Sequence, residues 1–473
     1  MHGAADEGDD VEEEGADRGH TWARRSGVVG VHGGSRWSAR CAGRESVRPS
    51  PPRLLVTAGA TRGGATLAIP RLPHATMAWM SLPIVTIAVD RLPRGPWIYG
   101  RQVEAAPQQE PVEPEGGELV EVQDTEGRFL GHGFYNGASD IRIRMLSIGR
   151  RTDLDRPREF LLRRLASALR LRRKGLRLDE VTDAYRIVHG EGDDLSGLIV
   201  DRFGDAVVCE YHALGFWRMR EVVADCLREL LPGAEIVHRI PAAAMTAERF
   251  PSDVESDPAA PERWIHEHGL RFPVVPGGSH KTGWFCDQRD NRRLVAEYAK
   301  GREVLDLCCH AGGFALAAAR AGAQSVTAVD LDEEPLARGK RAAVEQKLPV
   351  RFEHADAFNV LRTVGGGARR PGLVILDPHK LIMGKARIEE GLVKYRDLNT
   401  LGLAAVAPGG FLATFSCSGA LDLAAFTGMV IHSARRAERD IRILSVLGAG
   451  PDHPQRPDFG RSRYLKGLIL AVD

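Results

Sequence analysis

The sequence predicts an α/β protein: a doubly wound, mostly parallel sheet in the C-terminal part, preceded by a small all-β unit and a central α+β unit. Three observations carry this. From about residue 300, apolar strands and helical stretches alternate strictly, as expected of parallel strands joined by crossover helices. Residues 81–149 are short alternating segments broken by turn residues, the pattern of a small all-β unit. Between them, residues 185–275 mix both kinds of pattern.

Taken in order, residues 1–79 run through acidic, Gly/Ala/Arg-rich and Pro-rich pieces without periodicity, so a disordered leader is expected. "IVTIAVD", "WIYGRQVEA", "GELVEVQD", "RFLGHGFYN" and "IRIRMLSI" supply about five strands within 81–150. A basic helical linker spans 151–179, where Leu161, Leu162, Leu165, Ala168 and Leu169 fall on one helical stripe. The central unit, 180–275, opens with a hairpin turning at Phe203-Gly204-Asp205. The remainder, 276–473, contains seven strands, "EVLDLC", "SVTAVDL", "VRFEHAD", "GLVILDP", "GFLATFSC", "IRILSVL" and "RYLKGLILAV". The last two lack a helix between them, so the final strand should pair antiparallel.

Composition narrows the class. The chain has 473 residues, with 64 basic against 63 acidic side chains, so net charge alone points to no polyanion. No apolar run is long enough to span a membrane. The acidic N-terminus does not resemble a secretory signal. Seven scattered cysteines suit reduced thiols in a cytoplasmic protein.

The C-terminal strands end in a recurring pattern of acids and glycines. Asp306 lies in the first strand, and Gly312 and Gly313 open the loop and helix behind it. Asp330 ends the second strand, placed for ribose hydroxyls, and Asp356 ends the third, placed for an adenine edge. Ligands of open α/β sheets sit outside the carboxyl ends of the strands. The loop lacks the G-x-G-x-x-G that cradles a pyrophosphate, so the series fits S-adenosylmethionine as cofactor. Just upstream, "GGSHKTGWFCDQRDNR" offers Lys281, Thr282, Gly283, Asp287 and Arg289 as a lid or wall of that site, or as a brace at a domain junction. Cys308-Cys309-His310 has no second ligand pair at finger-like spacing, so no metal is expected.

Cys417 stands past an apolar strand, between two serines, on the edge that carries the acids. Cys209, Cys226 and Cys308 read as packing. A thiolate beside a methyl donor can add to carbon 6 of a pyrimidine and make carbon 5 nucleophilic, which is covalent catalysis. Asp377, or the main chain around Pro378, is placed to hold the Watson–Crick edge of an extruded base.

From 81 to 473 the chain resembles the bacterial 23S ribosomal RNA 5-methylcytosine methyltransferases. The matching residues are "GPWIYG" (95–100), "GEGDDLSGLIVDRFGD" (190–205), "HKTGWFCDQRDNR" (280–292), "AGGF" (311–314), "YRDLN" (395–399), "TFSCSG" (414–419), "DHP" (452–454) and "YLKG" (464–467). The resemblance implies a PUA-like RNA-binding barrel, a central α+β domain and a Rossmann-like class I methyltransferase domain, with Cys417 as nucleophile. One departure stands out. The family's Asp-Pro-Pro-Lys-aromatic motif reads "DPHKL" here, which makes His379 a candidate base for the carbon 5 proton.

Residues 142–177 carry thirteen Arg or Lys against three acids. Such a segment suits phosphate contacts without base reading, with Arg142, Arg144, Arg150, Arg151, Arg163, Arg170, Arg173 and Lys174 as candidates and large-subunit ribosomal RNA as partner. A solvated helix face explains the same charges. The sequence allows a homodimer. It also leaves open methylation of uracil, methylation of a base nitrogen, and a ribosome-assembly binding protein that has lost catalysis.

Overall fold

The computed structural model describes residues 82–88, 95–103, 114–151, 154, 156–278, 281–382 and 387–473. The expected leader, 1–79, lies outside them, as do Cys41 and His280.

The N-terminal sheet has five strands: β1 (Ile84–Ile87), β2 (Trp97–Tyr99), β3 (Glu118–Asp124), β4 (Phe129–Tyr135) and β5 (Ile141–Ile148), in the order β1-β3-β4-β5-β2. An Ile87–Val103 bridge joins the two edges, so the sheet curls round Ile87, Ile98, Val120, Val122 and Ile143. Closure of this kind leaves few unpaired strand edges.

Helix α1 (Pro157–Arg170) follows, with Pro157 at its first turn, where a missing N–H costs nothing. It buries Phe160, Leu161, Leu165, Ala168 and Leu169, close to the expected stripe. The chain then widens into a π-helical turn, Leu171–Gly175. That turn swings Arg172 inward, where its guanidinium is fully buried against Asp193 at 2.6 Å.

The central sheet is β6 (Ala184–His189), β7 (Leu198–Phe203), β8 (Ala206–Tyr211) and β9 (Glu235–Arg239). The hairpin turns at Gly204-Asp205, as the sequence indicated. Helices α2 (Leu214–Arg218) and α3 (Arg220–Leu230) form the crossover that makes β9 parallel to β8. After α4 (Ala242–Ala247), a separate hairpin, β10 (Arg263–Glu267) and β11 (Leu270–Val274), leads to α5 (Arg289–Ala296).

The C-terminal sheet then alternates: β12 (Glu303–Leu307), α6 (Gly313–Arg320), β13 (Ser325–Asp330), α7 (Glu333–Glu345), β14 (Val350–His354), α8 (Ala357–Gly365), β15 (Leu373–Leu376), α9 (Ile388–Ala405), β16 (Gly410–Ser416), α10 (Leu423–Arg436), β17 (Ile441–Gly448) and β18 (Lys466–Val472). Strand order is β14-β13-β12-β15-β16-β18-β17, with β18 antiparallel to both neighbours. The inner strands β12, β15, β16 and β18 are apolar on both faces because helices cover both. One face packs with Phe272, Phe314, Leu316 and Leu336, the other with Leu361, Tyr395, Leu403 and Phe426. Order reverses between β12 and its two neighbours, which opens a crevice at their carboxyl ends. Among the described residues no helix is long and apolar enough to cross a membrane.

Candidate active site

The crevice is a cavity of ≈ 500 Å³. Asp330, the last residue of β13, lines it. Its carboxylate accepts the His310 backbone N–H at 2.7 Å and that of Asp332 at 3.0 Å. Two loops therefore hold the group in place while it stays half-exposed. Asp356 lines the same cavity and caps α8 through the Asn359 N–H at 2.9 Å. Phe358, Leu331 and Ala357 add apolar surface beside it. At the start of α6, Gly313 has no side chain to block approach to the helix N-terminus. These residues fit a nucleoside with a flat apolar ring, vicinal hydroxyls and no phosphate.

Cys417 follows directly on β16 and Asp377 on β15, and both line the cavity with Asp330 and Asp356. His379 and Pro378 lie on its wall, His379 with its side chain exposed. Burial pushes the Cys417 thiol up, and the Lys281 ammonium opposes this. Burial, with the Asp287 carboxylate nearby, raises Asp377 to about 7. Asp287 behaves oppositely. Although buried, it is held well below the usual carboxylate range by Lys281, which donates to it at 2.7 Å, and by the Tyr464 hydroxyl, also at 2.7 Å. Lys281 also sits 4.4 Å over the Phe285 ring.

Several expectations need correction. Thr282, Gly283 and Arg289 do not line the cavity; they brace the junction behind it. The Thr282 hydroxyl donates to Asp201 at 2.5 Å, and Asp201 also pairs with Arg186. Gly283 packs against Val275 in a left-handed conformation. The Arg289 guanidinium is fully buried against Asp452, at 2.9 and 3.1 Å. Asp306 is also enclosed, because strand alternation turns it towards α6, where it accepts the Ala315 N–H at 2.9 Å. Burial and Asp377 push it well above the usual range. Gly312 shapes the loop rather than the cavity wall, with φ +72° and Phe352 against its Cα. Cys308 is half-buried and packs against the core, as expected, while it also lines the cavity.

The basic segment is also reshaped by folding. Arg144 is buried, donating to Glu248 at 2.8 and 3.1 Å; it is not an outward phosphate contact. Arg151 pairs with Glu121, Arg150 with Asp194 and Arg173 with Asp179. Arg163, Arg170 and Lys174 remain exposed, and Arg142 is half-buried. Acids distant in sequence thus neutralise much of a charge excess that counting along the chain leaves standing. Sequence reasoning also passed over Lys466, a lysine at the start of an apolar strand, which was visible only as part of "YLKG". Among the described residues, no group of three or more His, Cys, Asp or Glu is placed to hold a metal ion.

With the geometry in place, comparison with known proteins is informative. Residues 88–148 match a PUA-like domain, and 251–458 match an S-adenosylmethionine-dependent methyltransferase. The chain is 32% identical over 388 residues to ribosomal RNA large subunit methyltransferase I of Aeromonas hydrophila, covering 80% of this chain and 96% of that protein. The chain belongs to the ribosomal RNA large subunit methyltransferase I family. The relative of that name from Pseudoalteromonas atlantica is 33% identical over 386 residues, with the same coverage. Among solved folds, SMU.776, a methyltransferase crystallised with SAH, superimposes with TM-score 0.69 at 18% identity, covering 83% of this chain and 100% of that one. A methyltransferase from Streptococcus mutans gives 0.68 at 18% identity, over 82% of this chain and 100% of its own. As a member of the family, the chain is an S-adenosylmethionine-dependent methyltransferase with a PUA-like domain at its N-terminal end.

Proposed function

We propose that this enzyme methylates carbon 5 of a cytidine in large-subunit ribosomal RNA through a transient bond to Cys417. One observation carries the reading: the thiol shares a cavity with the carboxylates of Asp330 and Asp356 and with Asp377. The names of the relatives support the RNA substrate.

In this reading Asp330, Asp356, Gly313 and Lys281 hold S-adenosylmethionine, and Asp306 and Gly312 shape the loop that receives it. When bound, that group supplies an electrophilic methyl. The sulfur of Cys417 bonds to carbon 6 of the extruded base, and the electron pair of the 5,6 double bond becomes available at carbon 5. Once carbon 5 carries the methyl, loss of its proton restores the double bond and expels the sulfur. Asp377, protonated below about pH 7, donates to the base edge; His379, exposed on the wall, takes the carbon 5 proton.

Phosphate contacts come from Arg163 and Arg170 on the exposed face of α1, from Lys174 in the turn after it, and from Arg142, Arg150, Arg151 and Arg173, joining the PUA-like domain (81–150) to the central (180–275) and methyltransferase (276–473) domains. A cytoplasmic location, where ribosomal RNA is methylated, belongs to the same reading. A homodimer is supported by β17, an edge strand that exposes Ile443, Leu444 and Val446.

The test is methyl transfer from labelled cofactor to ribosomal RNA, followed by bisulfite mapping. Cys417→Ala should abolish transfer while cofactor binding by calorimetry stays intact. Full activity of Cys417→Ala would remove the covalent route, and a label on uracil or on a base nitrogen would remove the cytosine assignment.

A further inference from the structure

Lys466 is 3% exposed, and its recorded partners among the described residues are main-chain oxygens. Its ammonium donates to two backbone carbonyls, that of Ser418 at 2.6 Å and that of Tyr464 at 2.8 Å. An ammonium has three N–H donors, so one is left over. In the β16–β18 register Lys466 lies opposite Ser416. It therefore faces the residue before Cys417 and grips the residue after it. The Ser418 hydroxyl is pinned in turn by Tyr395 at 3.0 Å. Burying a cation against carbonyl oxygens alone is costly, and a satisfied structural brace would need only neutral donors.

We propose that Lys466 is a positioning residue for Cys417: it fixes the loop that presents the sulfur and supplies the positive charge that favours the thiolate. The proposal rests on Cys417 being the nucleophile. The other groups around the sulfur pull in both directions. Asp377 and Asp287 disfavour a thiolate, and Tyr395 is itself raised in part by the thiol. Lys281 favours the thiolate from the opposite wall, while already committed to Asp287. Burial lowers Lys466 to about 8, and Cys417 and then Asp422 act against that fall. An ammonium that grips the residue next to Cys417 attracts a thiolate formed there.

The experiment is pH-dependent alkylation of Cys417 by iodoacetamide in the intact protein, quantified on the Cys417 peptide by mass spectrometry. Lys466→Gln keeps neutral donors for the carbonyls but loses the charge. Its alkylation midpoint should rise by about one pH unit, a roughly tenfold loss of thiolate at fixed pH below the midpoint. Lys466→Arg should restore most of it. In methyl transfer, Lys466→Gln should lower kcat with little change in KM for the cofactor. An unchanged midpoint in Lys466→Gln overturns the proposal. Cys417→Ser tests it without altering the buried lysine: by reciprocity, the Lys466 13Cε resonance should titrate at lower pH than in the wild type, and an unmoved titration also overturns it. Activity of Cys417→Ala decides the covalent route separately, because alkylation reads the thiol whether or not it is catalytic.

Discussion

Replacing Asp452 with Ala should be among the most damaging single changes outside the cavity. Asp452 lies in the loop between β17 and β18, yet it is fully buried. Its carboxylate accepts two N–H groups of Arg289 at 2.9 and 3.1 Å and the Arg186 backbone N–H at 3.0 Å. Its backbone carbonyl accepts from Arg172 at 2.7 Å. The truncation leaves the Arg289 guanidinium, itself 0% exposed, with only the half-buried Asp290 carboxylate at 3.3 Å. Breaking a buried pair from one side costs about 3–5 kcal/mol, and the stranded Arg186 N–H lies within that sum. Removing both charges should cost less, because an apolar pair carries no desolvation penalty. Asp452→Leu with Arg289→Met should therefore recover part of the loss, but not the Arg186 contribution of about 1–3 kcal/mol. Urea denaturation of the wild type, the single variant and the double variant measures both quantities. A loss below about 1 kcal/mol for Asp452→Ala, or a double variant worse than the single, would refute the argument that Asp452 ties the central sheet to the C-terminal one.

Two further outcomes follow from the loop and the cavity. Gly312→Ala forces a side chain into φ +72° and places its Cβ 2.6 Å from the Phe352 ring, so overpacking should cost about 1–3 kcal/mol and weaken cofactor binding at least tenfold by calorimetry; unchanged binding would argue against the loop's role. The protein without cofactor should lose stability as pH rises from the ordinary carboxylate range towards 7. Asp377 titrates near 7 when folded, so between those values the native state holds a proton that the unfolded chain has released. Asp306, pushed up by burial as well, adds a slope of the same sign, so Asp377→Asn should reduce it in denaturation curves taken across pH 4–8, and an unaltered slope would place its origin elsewhere.

The strand–helix rhythm after residue 300, the antiparallel last strand and the placing of Cys417, Asp330 and Asp356 at one sheet edge all follow from local pattern. Periodicity and strand ends are encoded within a few residues of themselves. Which polar groups face the cavity is a different matter, because it depends on partners far along the chain. Thr282 turned from the cofactor to Asp201, Arg289 to Asp452, Arg144 to Glu248 and Arg172 to Asp193. Each move follows from one rule: a charge or hydroxyl taken out of water must find a partner. The partner here is tens to hundreds of residues away, where no periodicity reaches. For the same reason Lys466 reads along the chain as a strand-end lysine, and only the folded sheet sets it across from Ser416 and onto the Ser418 carbonyl, on either side of the thiol.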